Sequence, residues 1–67
     1  MKRYFAKPDT WFDEGTEAFP ITEFYEAYDD QAMTIRNDWA LFEGIKDGKP
    51  DEETCPISEF NVINDVP

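Results

Sequence analysis

Gly44-Ile45-Lys46-Asp47-Gly48-Lys49 is the stretch whose spacing comes nearest to a phosphate-binding loop. Such a loop needs four residues between its glycines and a Ser or Thr after its Lys, because backbone N–H groups cradle the phosphates and the hydroxyl holds magnesium. Here three residues separate Gly44 from Gly48, Pro50 follows Lys49, and Asp47 would repel phosphate. A hairpin turn explains the segment better, since Asp-Gly accepts the positive φ that tight hairpins require. Cys55 is the other reactive side chain. A thiolate needs a base or cationic neighbours, whereas this chain has no His and places Asp51, Glu52 and Glu53 just upstream. Negative charge there raises a thiol pKa, so Cys55 reads as a small core residue in a strand.

Carboxylates are plentiful, in Asp13-Glu14, Asp29-Asp30 and Asp51-Glu52-Glu53. Acid–base catalysis would need one of a pair buried, with its pKa raised. With 16 acids in 67 residues, neighbours arise from composition alone, and a solvated face is the simpler explanation. Calcium prefers such oxygens, but no stretch has the D-x-D-x-D-G spacing of a dedicated loop. Asp9, Asp13 and Glu14 around Gly15, or Asp29 with Asp30, offer a weak site at most. No catalytic, cofactor-binding or metal site is therefore expected, and enzyme activity is not expected.

Whatever these residues do, a single domain must position them, because 67 residues leave room for no more. A chain this short has a thin stability margin, and one cysteine allows no internal disulfide. Aromatic residues compensate: six Phe, two Trp and three Tyr stand against one Leu. Rings bury large areas and favour strands, whereas a helical bundle would be rich in Leu and Ala.

The net charge is −10, shared evenly, since residues 1–34 and 35–67 each carry 8 acids and 3 bases. Acidity is thus a property of the whole domain and not of a tail. Direct binding to nucleic acid or to anionic membranes needs clustered Lys and Arg, and both are disfavoured. No apolar run approaches the length of a bilayer span. The start, Met1 to Lys7, lacks the apolar stretch of a signal peptide. A lone thiol suits a reducing cytoplasm.

Along the chain, Arg3–Lys7 reads as a strand ended by Pro8-Asp9, and Thr10–Gly15 as a turn. Thr16–Phe19 alternates like a strand until Pro20 interrupts it. Residues 20–38 read as a long loop with one helical turn, capped by Thr22 and running through Tyr28; Ala32–Ile35 adds a brief strand. Trp39–Lys46 is the clearest strand, with Gly44 a candidate bulge. Asp47-Gly48 turns it into a return arm at about Asp51–Cys55. Pro56–Phe60 reads as a 3₁₀ turn, and Asn61–Ile63 as a final short strand.

That order resembles an SH3-like small barrel, partly open and built of about five short strands. The ending Cys55–Ile63 is similar to the turn-then-strand close of Tudor- and KOW-type barrels. The blocks Thr10–Glu17, Leu41–Glu53 and Cys55–Phe60 together resemble short uncharacterised bacteriophage proteins. The barrel resemblance implies an aromatic cage for methylated Lys or Arg, drawn from Trp11, Phe12, Phe19, Trp39 and Phe42 with Glu14 or Glu43 alongside. In so small a protein most of these rings are needed for the core.

Two functions are expected. The first is a non-enzymatic acidic protein that engages a basic protein partner through Asp13, Glu14, Glu17, Glu43, Asp51, Glu52 and Glu53, with Trp39 and Phe42. If the phage resemblance holds, such a protein would act in the host cytoplasm as an inhibitor or DNA mimic. The second is an adaptor or structural module that reads a peptide through exposed Trp39, Phe42, Phe24 and Tyr25, with the acids serving solubility.

Overall fold

The computed structural model describes residues 1–64. They form six strands: β1 (Lys2–Ala6), β2 (Glu17–Pro20), β3 (Tyr25–Asp29), β4 (Thr34–Lys46), β5 (Lys49–Pro56) and β6 (Phe60–Asn64). A 3₁₀ turn, Ile57–Glu59, links β5 to β6. Every pairing is antiparallel. β4 is the spine, bonded to β5 along one side and to β2 and then β3 along the other. β1 lies between β2 and β6, so the first and last strands pair over five residues, Lys2↔Asn64 to Ala6↔Phe60. The result is a small all-β half-barrel, mostly strand as expected and compatible with an SH3-like order.

The core is aromatic. Tyr4, Phe12, Phe42 and Phe60 are buried together with Ala6, Ala18, Ala40 and Cys55, and no polar or charged residue is buried among the described residues. Phe42 and Phe60 meet with centroids 4.3 Å apart, and Tyr4 stands edge-on to Phe42 at 5.5 Å. Fully buried alanines on β1, β2 and β4 leave the room these rings need, since a close-packed interior alternates large and small side chains. Phe24 covers the cluster from outside, 6.2 Å from Phe42, while remaining 41% exposed.

The two turns that flank β4 show why one was legible and the other was not. Asp47 and Gly48 have φ of 53° and 77°, the left-handed pair of a two-residue hairpin. Between β3 and β4 no glycine marks the reversal. There Met33 takes φ 57°, the Asp29 carbonyl accepts the Met33 N–H at 2.7 Å, and the Asp29 carboxylate accepts the N–H groups of Gln31 and Ala32. The segment expected to be a loop with a helical turn is therefore a β-hairpin. Thr22 caps no helix; its hydroxyl accepts the Leu41 N–H at 3.0 Å, filling in for a backbone partner where the chain passes from β2 to β3. The register shift lies between Tyr25 and Ala27, not at Gly44.

Gly44 answers to packing. The loop Lys7–Thr16 folds over the end of the half-barrel, tied by Asp13 N–H to Ile45 O at 2.8 Å and Gly15 N–H to Ala6 O at 2.8 Å. This lays Phe12 against Gly44, where an added Cβ would stand 2.9 Å from the ring and 3.0 Å from the Ala18 Cβ. Overpacking of that kind costs about 1–3 kcal/mol. Gly44→Ala is accordingly expected to lower the urea midpoint by that order without changing the slope, and an unchanged midpoint would mean Phe12 is not seated there.

Candidate functional site

Where β5 ends opposite Trp39, β4 continues alone with β3 as a two-stranded ribbon. A groove of about 650 Å³ opens between the ribbon tip, the Trp11 loop and the end of β5. Three rings line it: Trp11 from the loop, Tyr28 from β3 and Trp39 from β4. Five carboxylates share the lining, Asp9, Asp29, Asp30, Glu53 and Glu59, against the single cation Lys46. They come from four separate parts of the chain, and only the fold brings them together.

Trp39 is half-buried, and its indole N–H is buried without a hydrogen-bond partner among the described residues. Trp11 is 41% exposed and is held by two contacts. Its indole N–H donates to Asp51 Oδ2 at 3.0 Å, and the Lys46 ammonium stands 4.6 Å above its ring. Lys46 thus makes, within the chain, the cation–π contact that a ring face in acidic surroundings selects. Asp29 is the most constrained of the acids, closing the ribbon turn and lying 4.0 Å from Arg36. Arg36 is in turn forked onto Asp38 by contacts of 3.1 and 2.9 Å, which raise its pKa and lower that of Asp38.

Of the residues expected to engage a basic partner, the groove gathers Trp39 and Glu53, and of the expected cage rings Trp11 and Trp39. Phe42 is fully buried, so neither an exposed interface ring nor an aromatic cage can use it; Phe12 is buried likewise. Both are drawn inward because the chain has so few aliphatic residues to fill its core. Glu14 is exposed in a turn. Glu17 is forked by Arg3 at 3.0 and 2.9 Å, and this pairing holds its pKa down. Glu17, Glu43, Asp51 and Glu52 line a second, smaller depression of about 360 Å³, together with Phe19, Ile45 and Pro50. Glu43 faces Glu52 directly across β4 and β5. Of the groove acids, the sequence singles out Asp29 and Asp30 only as an adjacent carboxylate pair and, with Asp9, as weak calcium ligands, and Glu59 not at all. Their signal is topological, and no local pattern carries it.

Asp13 belongs to the scaffold. Its carboxylate accepts the backbone N–H of Gly48 at 2.8 Å and of Asp47 at 2.9 Å, tying the Trp11 loop to the β4–β5 hairpin. The Gly48 bond, then the Asp47 bond, hold its pKa below the ordinary 3.8, with Lys46 adding to the effect. Cys55 is buried in the core, and burial, followed by the charges of Glu59 and Glu53, pushes its thiol up to about 12. Nucleophilic chemistry from this thiol is disfavoured near neutral pH. Among the described residues no group of acids, His or Cys is arranged to hold a metal ion.

A depressed carboxyl pKa stabilises the fold above the unfolded value and stops doing so as pH falls through the folded value. Asp13→Asn should therefore lower the urea midpoint at neutral pH, and the gap from the parent should close as pH drops below 3.8. A gap that ignores pH would rule out the capping role. Cys55 should react with iodoacetamide at least about a hundredfold more slowly in the folded than in the urea-unfolded protein; equal rates would mean the thiol is neither buried nor held protonated.

No family model matches this chain, and neither does any curated protein or solved structure searched.

Proposed function

We propose that the protein is a non-enzymatic binding module that takes a basic segment of a partner protein into the groove between the ribbon and the Trp11 loop. The observation that carries this reading is the lining: three rings and five carboxylates around one lysine. Ring faces attract cations, and carboxylates favour Lys and Arg over other side chains. Ten net negative charges on so small a body add steering from a distance. The reading unites the two expected functions, since acids and exposed rings serve the same groove. An SH3-like barrel with a Tudor- or KOW-type ending suits such a module, and a reducing cytoplasm suits its single thiol.

A second reading has its own support. Glu43 opposite Glu52 is a like-charge cross-strand pair, which destabilises a sheet unless a cation relieves it. Phe19, 52% exposed, sits beside Glu43 in the next strand. A basic nucleic-acid-binding protein could dock on this face, as a bacteriophage inhibitor or DNA mimic would require.

Both Trp residues line the groove, so their fluorescence reports on it. Titration with an arginine-rich peptide should give a saturable change in emission, with affinity falling about tenfold or more as salt is raised well above physiological strength. The pair Asp30→Asn and Glu53→Gln should weaken binding, and the pair Glu43→Gln and Glu52→Gln should leave it. The reverse ranking would transfer the function to the outer face, and no saturable response would remove the groove reading.

A further inference from the structure

β3 ends its sheet with one side bonded to β4 and the other bonded to no strand among the described residues. A free edge is a template for pairing, and proteins normally blunt it with Lys, Pro or a covering segment. The strand Tyr25-Glu26-Ala27-Tyr28-Asp29 carries a register shift and two acids, Glu26 and Asp29, which guard it against like-charged chains and leave it open to a basic one. Over Thr34–Ile35 β4 has β3 as its partner and no β5, which begins to pair only opposite Trp39. The ribbon therefore stands as two strands alone, an arrangement that is marginal without a third.

Beside this edge runs an apolar strip. Tyr28 lies opposite Ile35, and its hydroxyl donates to Met33 Sδ at 3.7 Å. The three are 54%, 65% and 74% exposed, whereas Tyr4, Phe12, Phe42 and Phe60 are buried in the core. The charge on the edge strand itself has one sign. Between Lys7 and Arg36 the sequence has no cation, while Glu23, Glu26, Asp29 and Asp30 follow one another along the strand and its ends. Arg36 is already forked onto Asp38.

A second copy of the chain is a poor occupant. Antiparallel β3–β3 pairing would crowd two copies of Glu26 and Asp29 along one short ladder, and like charges so close oppose pairing. A segment that alternates cationic and apolar residues meets both demands, laying its apolar face beside Tyr28 and Ile35 and its cationic face on the side of Asp29, within the field of the strand's other acids. We propose that β3 is a docking edge to which a basic partner segment adds as a further antiparallel or parallel strand. The proposal rests on the partner being basic, as above, and adds the mode by which it is held.

Amide hydrogen exchange on the full chain, followed by NMR, tests the edge and the groove separately. The probe is a short peptide alternating lysine and valine, with a glutamate–valine peptide as control. With the basic peptide at saturation, exchange of the β3 amides should slow about tenfold or more, and the control should have no effect. Glu26→Lys should abolish the slowing while leaving the exchange of core amides as in the parent, which shows that the variant is folded. Shifts confined to the Trp11 and Trp39 indole signals would overturn strand addition and leave the groove reading standing. Absence of any change would end both. Slowing that grows with protein concentration and needs no peptide would also overturn the proposal, because the occupant would then be a second copy.

Discussion

Phe42 and Phe60 lie in contact at 4.3 Å, joining the middle of the longest strand to the start of the last one. Much else follows from that contact. With one Leu in the chain, the volume between β4 and β6 has to be filled by rings, and rings fill it only if their neighbours are small. Ala6, Ala18 and Ala40 are those neighbours, and Gly44 serves Phe12 in the same way. Because Phe60 opens β6, its burial also fixes where the 3₁₀ turn must deliver the chain, and so sets the register in which β6 meets β1. Losing a ring of this kind typically costs about 3–5 kcal/mol, a large share of what a domain this small can possess.

A core with room only for rings and small residues sends every described acid to the surface. Three cations are spent there on local contacts: Arg3 on Glu17, Arg36 on Asp38 and Lys46 on Trp11. What remains is a surplus of carboxylates, and the topology concentrates part of it. The Trp11 loop, the ribbon, β5 and the 3₁₀ turn each bring acids to one groove. Elsewhere the surplus is simply endured, as where Glu43 faces Glu52. Self-repulsion of this kind opposes folding, and the aromatic core is what offsets it.

How much of this could be read from the residues depended on whether the deciding interaction was local. Asp47-Gly48 announced its hairpin because a turn of that geometry selects its own residues. Pro56–Phe60 announced its 3₁₀ turn; for Cys55 the acids upstream gave the direction of the pKa shift, while burial, its larger cause, is set by the fold. The β3–β4 hairpin gave no such sign, since its turn is held by the Asp29 carboxylate and a left-handed Met33 in place of glycine. Thr22 looked like a helix cap because a hydroxyl's choice between its own segment and a distant strand is not local. Phe42 and Trp39 stand three apart on one strand and were expected to act together, yet one is core and the other lines the groove. Alternation along a strand separates them, and only pairing tells which face is inside.

The half-barrel and the ribbon are held by different forces, and the groove lies at their boundary. Ring packing stiffens the barrel. The ribbon has its ladder to β4, the Asp29 turn and the Arg36 links, all close to solvent, and exposed hydrogen bonds of that kind open more readily than buried ones. Trp39 stands where the two regions join: it pairs with Pro56 of β5 on one side and with Tyr25 of β3 on the other. Its backbone is therefore held from the barrel side as well, while Tyr28, Asp29 and Asp30 belong to the ribbon and its turn. The groove has one wall set by core packing and one wall set by a few polar contacts, so its width is governed by the weaker of the two. Arg36, which grips Asp38 and lies 4.0 Å from Asp29, is the side chain that ties the acid at the ribbon turn back to the strand that enters the barrel.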